Sequence, residues 1–253
     1  MSSGYVRISP ADRSDYRELI AHISEAVWPE FMRHDPIAAE YWDGLFDTFP
    51  SHQFALLHEE THSVAGIANS VPLACTTPLE DLPDEGWDWE LIKSAKDAAS
   101  GKAPNVMGAL QISVAPAFQG KGLSSLLLQE MRQLAQRKGF SNLIAPVRPS
   151  RKHLYPLSSI ESYMWWTLAD GLPYDPWLRV HVRAGGRILK ACLSAMRIVG
   201  TVAQWEEWTG LRFYENGRYT VPGALVPVQI DVAEDTGLYT EPGVWVVHHV
   251  PSD

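Results

Sequence analysis

The run Gln119-Gly120-Lys121-Gly122-Leu123-Ser124 sets two glycines one residue apart at the start of an amphipathic helix, and that combination is suited to holding an anion. Glycine lets successive amides turn toward one point, and a helix start adds unpaired N–H groups and the positive end of its dipole. A diphosphate-bearing cofactor is the expected occupant. A second run, His58-Glu59-Glu60-Thr61-His62, matches His-Glu-x-x-His, in which a helix puts two histidines on one face for zinc and Glu activates water. It lies between Phe54-Ala-Leu-Leu and Ser63-Val-Ala-Gly-Ile, where a hairpin turn is expected, and in a turn the two rings do not share a face. Zinc hydrolysis therefore ranks last among the readings, and no metal is expected.

The elements that must position the glycine loop are legible around it. Upstream, Met107 to Val114 is strand-like, with Leu110, Ile112 and Val114 alternating to one side, and Pro116 ends the strand. Downstream, Leu123, Leu126, Leu127, Met131, Leu134 and Ala135 recur at helical steps, and Gly139 stops the helix. Phe140 to Ala145 reads as a short buried strand. Three loop types fit a strand-loop-helix unit. A P-loop requires an upstream Gly and a hydroxyl after Gly-Lys, both missing here. A dinucleotide fingerprint requires a third Gly or Ala, where position 125 is Ser, and an acidic residue at the tip of the next strand, where Pro146 and Arg148 stand.

The third type fits. Gln/Arg-x-x-Gly-x-Gly/Ala after a strand and a proline resembles the coenzyme A loop of the GNAT acyltransferase superfamily, here as Val114-x-Pro116 followed by Gln119 to Ser124, with Ser124 replacing the usual Gly or Ala. The resemblance implies that Gln119, Gly120, Lys121, Gly122, Ser124 and Ser125 hold the diphosphate of acetyl-CoA or another acyl-CoA, while Ile112 and Val114 contact it through main chain. It also implies an α/β fold: a mixed, mostly antiparallel sheet flanked by helices and split around the cofactor.

The order of elements agrees with that fold. Tyr5 to Ser9 is a first strand, a helix capped by Asp12 or Ser14 runs to about Val27, a second helix covers Ile37 to Phe46, and a hairpin follows. We expect a GNAT-like domain over residues 1–199, with insertions at about 76–105, before the fourth strand, and 148–174, after the fifth. Residues 200–253 form a C-terminal β-rich extension on the same domain. That extension, with strands at Leu225 to Val232 and from Val244, completes the sheet or makes a homodimer contact.

The family closes on a helix and strand reading Leu-Tyr-x-x-x-Gly-Phe, whose Tyr points at the thioester sulfur. Asp175 as N-cap, Pro176 and Gly185-Gly186 mark the helix here, with Arg187 to Leu193 as strand. Counting back from Gly185 lands on His181, and from Gly186 on Val182. We take His181 as the candidate acid toward the leaving sulfur or base toward the amine, and Tyr155 as a second catalytic candidate. Tyr155, Tyr163, Trp165 and Trp166 are placed to roof an acceptor pocket. Asp88 and Glu90 are further candidates for a base.

Composition bounds the rest. A formal charge of −9 over 253 residues argues against a nucleic-acid partner and suits a cationic acceptor. Cys75 and Cys192 are too few for a disulfide scaffold, and no leader or membrane-length apolar run is present, so a cytoplasmic protein is expected. The expected activity is transfer of an acetyl or other short acyl group from coenzyme A to a small amine or hydroxyl by direct attack in a ternary complex. The alternative is a non-acetylating binding or biosynthetic module for an acyl-CoA or carrier-bound substrate.

Overall fold

The computed structural model describes residues 4–251. Its strands are β1 (Tyr5–Ile8), β2 (Gln53–His58), β3 (Val64–Leu73), β4 (Val106–Val114), β5 (Asn142–Val147), β6 (Arg187–Gly200), β7 (Gly217–Tyr219), β8 (Val228–Asp231) and β9 (Thr236–His249). The α-helices are α1 (Tyr16–Val27), α2 (Pro36–Tyr41), α3 (Gly44–Thr48), α4 (Gly86–Ala99), α5 (Leu123–Arg137), α6 (Ile160–Tyr163), α7 (Pro176–Arg183) and α8 (Val202–Thr209). One sheet carries all nine strands in the order β1-β2-β3-β4-β5-β9-β8-β7, with β6 on the other edge of β9. This is the mixed sheet with flanking helices expected from the sequence.

The one parallel pairing positions the site. β4 meets β5 only at Met107↔Leu143 and Gly108↔Ile144. Beyond Gly108 the two strands part, while β4 stays paired to β3 as far as Gly66↔Val114. A register shift at Asn69/Ser70 leaves Leu110 as an extra residue on β4, and such a bulge bends its strand at the point where the gap opens.

Helices cover both faces. α5 buries Leu123, Leu127, Leu128, Met131, Leu134 and Ala135 in a core with Phe54, Leu56, Ala65, Ala68, Met107 and Leu143. Gly66 admits this helix, since a Cβ there would lie 2.7 Å from Leu127 Cδ1. Filling each Leu position of that stripe contributes roughly 1.5–3 kcal/mol. On the opposite face α1 and α4 pack with Ile67, Val71, Leu110, Ile144 and Trp245.

Several expectations shift in detail. The second helix is broken into α2 and α3, because residues 42–43 form a turn ahead of Gly44. α1 begins at Tyr16 behind Asp15, while Asp12 bonds back to the Ser9 amide at 2.8 Å in the preceding turn. α4 starts three residues before Trp89, at Gly86, where a Cβ would come within 2.9 Å of Ala195 Cβ. The C-terminal segment completes the sheet from within: β9 runs between β5 and β6 as an interior strand. Local alternation marked the strand but carries no information about which neighbours it takes. Among the described residues no helix is long and apolar enough to cross a membrane.

Candidate active site

A cleft of about 1020 Å³ opens where β4 and β5 diverge, bounded by the 118–125 loop, α7, the end of β5 and the bend of β9 at Glu241-Pro242-Gly243. Its first wall is main chain. Gly120 and Gly122 take φ of +74° and +78°, and open space surrounds the position where a Cβ would stand on either. Among the described residues the amides of residues 120–124 take no protein acceptor, and Gly122 caps α5 without a side-chain bond. Lys121 Nζ lies beside the loop, 5.1 Å from the Phe118 ring centre and 3.2 Å from the Ala117 carbonyl. Five free amides, a helix N-terminus and one ammonium group fit a diphosphate. Gln119 donates to the Val114 carbonyl at 3.3 Å, which ties the loop to the strand.

The second wall is β4. Ala109 to Val114 line the cleft along the edge that β5 has left. On this strand Gln111 accepts from Asn69 Nδ2 at 2.9 Å and donates to Ser113 Oγ at 3.0 Å. Ile112 and Val114 lie on the other face and pack toward α5. Ser124 and Ser125 in the first turn of α5 also line the opening.

α7 forms the third wall, and its capping residues act as the sequence indicates. The Asp175 carboxylate accepts from the Trp177 and Leu178 amides at 2.9 and 3.2 Å. It also accepts from the Arg151 amide at 2.8 Å and the Tyr163 hydroxyl at 2.9 Å, so one buried group fastens the 148–174 segment to the helix. Burial and Asp175 raise the Tyr163 phenol above its ordinary range. Past α7, Gly185 takes φ +83° and Gly186 lets the chain approach a histidine pair, since a Cβ on it would stand 2.7 Å from His248 Cε1.

That pair is His181 and His248. His181 lines the cleft with 1 % of its surface exposed, and its Nδ1 stands 2.9 Å from His248 Nε2. Burial, with His248 adding to it, drives the His181 pKa well below 6.5. Burial and Arg132 lower His248 to about 4. Both rings are therefore neutral near pH 7, and His181 holds no standing proton to give as an imidazolium acid.

Tyr155 lies elsewhere. Its ring packs 5.0 Å from Trp166, its hydroxyl bonds Tyr174 at 2.8 Å, and it is not among the residues of the cleft wall. The expected roof of Tyr155, Tyr163, Trp165 and Trp166 is likewise outside the wall. Three of these rings pack on one another, and Trp165 is exposed. Glu90 faces away from the cleft as well: it is fully buried against Gly108, where a Cβ would fall 2.8 Å from its carboxyl carbon. Burial raises its pKa well above 4.5.

The far end of the cleft holds charged residues that the sequence did not single out as a group. Arg148 Nε donates to Glu241 Oε1 and Oε2 at 2.9 and 3.0 Å, Arg148 Nη2 to the Gly223 carbonyl at 2.6 Å, and the Tyr239 hydroxyl to Glu241 Oε2 at 2.7 Å. The guanidinium also lies 5.7 Å from the Trp28 ring centre. Asp35 and Asp88 stand close enough to Glu241 for its charge to act on both. Of these, the sequence marks Asp88 as a candidate base and Arg148 only as the residue that argues against a dinucleotide fingerprint.

Of the histidines of the zinc-like run, His58 ends β2 and His62 lies in the turn after it, with the His62 amide bonded to the His58 carbonyl at 2.9 Å and His62 at φ +53°. His58 instead packs edge-on to Tyr5 at 5.4 Å.

Comparison with known proteins supplies the context for this geometry. Residues 15–157 match the model of the acetyltransferase (GNAT) family. The chain is 35 % identical over 276 aligned positions to the arginine N-acetyltransferase avaD of Aspergillus versicolor, covering 98 % of this chain and 94 % of that one. Among solved structures, the loading GNATL domain of CurA from Lyngbya majuscula superposes with a TM-score of 0.64 at 21 % identity, covering 97 % of this chain and 98 % of that one. The GphF GNAT-like decarboxylase in complex with isobutyryl-CoA does so with a TM-score of 0.58 at 18 % identity, covering 98 % and 99 %. At those identities the two structures speak to fold alone.

Proposed function

Since the chain belongs to the GNAT acetyltransferase family and is an N-acetyltransferase that moves acetyl from acetyl-CoA to an amine, we propose that its acceptor is arginine or a close guanidinium-bearing amine. The observation that carries the acceptor is the likeness to an arginine N-acetyltransferase along nearly the whole chain.

The site then divides into tasks. The amides of residues 120–124, with Lys121 and the hydroxyls of Ser124 and Ser125, hold the diphosphate, and Gln119 braces the loop. The free edge of β4, through the main chain at Ile112 and Val114, lines up the arm that leads to the thioester. Bound there, acetyl-CoA supplies an activated acyl group whose leaving group is a thiolate. Positioning does most of the remaining work, because a thiolate needs little help to leave.

His181 is assigned the proton. Its ring is neutral and held at Nδ1 by His248, so it serves as a hydrogen-bonding partner that takes a proton from the attacking amine transiently and does not act as a preformed acid. The test is turnover of acetyl-CoA against a panel of amines, read by release of free thiol. Arginine is expected to give the highest kcat/KM, and thiol release with lysine or arylalkylamines but none with arginine would overturn the acceptor.

A further inference from the structure

The bond between His181 and His248 has a direction, and that direction decides what His181 offers the cleft. Both rings are buried, and both are neutral near pH 7. Two neutral imidazoles whose nitrogens stand 2.9 Å apart share one hydrogen: one ring donates and the other accepts with a lone pair. Donation from His181 Nδ1 leaves its Nε2 bare. Donation from His248 leaves the His181 proton on Nε2, and that nitrogen then takes up nothing from an amine.

The surroundings of His248 set the direction. Its Nδ1 is enclosed and accepts from no donor among the described residues. The main-chain group acting on the ring is the carbonyl of Ala184, the residue that caps α7, and a carbonyl stabilises an N–H while it repels a lone pair. The single N–H of neutral His248 therefore belongs on Nδ1, with the lone pair on Nε2, the nitrogen that meets His181. Arg132 of α5 is the charged group acting on His248, and burial together with that cation keeps a second proton off the ring. A Cβ at Gly186 would fall 2.9 Å from His248 Nε2, so glycine leaves this nitrogen clear. Trp177, one turn before His181 on α7, holds the other ring edge-on at 4.4 Å, and both of these side chains line the cleft.

We infer that His248 is a positioning residue: by accepting the Nδ1 hydrogen of His181, it fixes the tautomer whose Nε2 lone pair meets the attacking amine. This rests on the assignment of the amine proton to His181 above. In the step itself the amine nitrogen bonds to the acetyl carbon and its proton moves to His181 Nε2. The C–S bond breaks with its electron pair on sulfur, and the thiolate takes the proton from His181. While the imidazolium lasts, its Nδ1–H stays bonded to the His248 lone pair as a charge-assisted hydrogen bond.

The experiment reads tautomer and rate in the full chain. Nitrogen NMR of isotopically labelled histidine, with the His181 signals identified by their loss in His181→Gln, shows which ring nitrogen carries hydrogen. In parallel, kcat is measured for the wild type, His248→Gln and His248→Leu with the amine that gives the fastest thiol release.

The wild type is expected to show His181 protonated on Nδ1 and bare on Nε2. Glutamine at 248 puts a carboxamide oxygen where Nε2 stood, so the tautomer is expected to persist and kcat to stay within about threefold. Leucine fills the space and accepts nothing. The His181 proton is then expected on Nε2, because a buried N–H without an acceptor is the costlier arrangement, and kcat is expected to fall by about tenfold with acetyl-CoA affinity unchanged. A packing role alone would be served by leucine and would leave both rate and tautomer as they were. His181 protonated on Nε2 in the wild type, or wild-type kcat in His248→Leu, overturns the positioning role, and the wild-type spectrum decides even where leucine unsettles the fold. Full kcat in His181→Gln refutes the proton assignment instead, a result separate from the direction of the bond.

Discussion

At one end of the cleft the binding surface is main chain, a row of free amides around two left-handed glycines. At the other it is side chains, Arg148 from the end of β5 and Glu241 from β9, with Asp35 from the turn before α2 and Asp88 from α4 close to Glu241. The amide end is local: seven consecutive residues contain it, and it depends on nothing beyond α5 being held to the sheet. The carboxylate end is global, because its groups meet only after β9 has entered between β5 and β6. A loop of this kind suits a ligand shared by many enzymes, whereas a cluster drawn from four elements can be retuned for one acceptor.

The contrast is broken most directly at Arg148. Arg148→Met leaves Glu241 buried with only Tyr239 as partner, and stability is expected to fall by about 3 kcal/mol, the low end for stripping one member from a buried pair, since the Tyr239 bond remains. Urea denaturation checks it, and a loss under 1 kcal/mol would mean that the far end is held by packing. At the amide end, Gly122→Asp is expected to cost only about 1 kcal/mol of stability, for a side chain held at φ +78° in otherwise open space, while weakening acetyl-CoA about 100-fold, because only the ligand meets the added charge. Unaltered affinity in calorimetry would move the diphosphate away from this loop. One end thus answers in stability and the other in binding.

A third variant sharpens the difference through pH. Asp88 is raised from 3.8 to about 8 in the folded chain, so between those values the folded state holds a proton that the unfolded state has released. Stability contributed by this group is full below pH 4 and declines as pH rises toward 8. Asp88→Asn removes the decline: it is expected to match the wild type near pH 4 and exceed it by about 2 kcal/mol near pH 8. Parallel pH–stability curves for the two proteins would show that Asp88 is ionised and satisfied in the free enzyme.

How much of this was legible follows the same division. Gln119 to Ser125 could be read because glycine spacing and a helical stripe are both properties of neighbouring residues. The caps of α7 could be read too, with Asp175 and Pro176 in sequence and Gly185 at the end, and counting back from that glycine brought His181 to the cleft wall. Arg148 and Glu241 are 93 residues apart and share no pattern. Asp35 carries no signal in the sequence beyond standing ahead of Pro36. His248 sits on a strand whose alternation is the same whichever neighbours it takes. The density of aromatic residues in 148–174 suggested a pocket roof, but aromatic rings satisfy one another, and Tyr155, Tyr163 and Trp166 close on themselves over the Asp175 hub.

The smallest expected effect concerns the histidine pair between the two ends. If His181 accepts the amine proton in passing, His181→Gln keeps a hydrogen-bonding group of similar reach and loses only the basic nitrogen, so kcat is expected to fall by about tenfold with acetyl-CoA affinity unchanged. Tyr155→Phe, which deletes a hydroxyl bonded to Tyr174 away from the cleft, is the control and should leave kcat within twofold or so. The pair also leaves a mark on stability. His248 falls from 6.5 to about 4 in the folded chain, so the unfolded state binds more protons between those values, and stability drops as pH falls through that window. In His181→Gln the glutamine still faces His248, and the drop persists while kcat is reduced. A variant that lost both the acid-side drop and the activity would show that the dyad holds α7 against β9, and the proton would then need another carrier on the cleft wall.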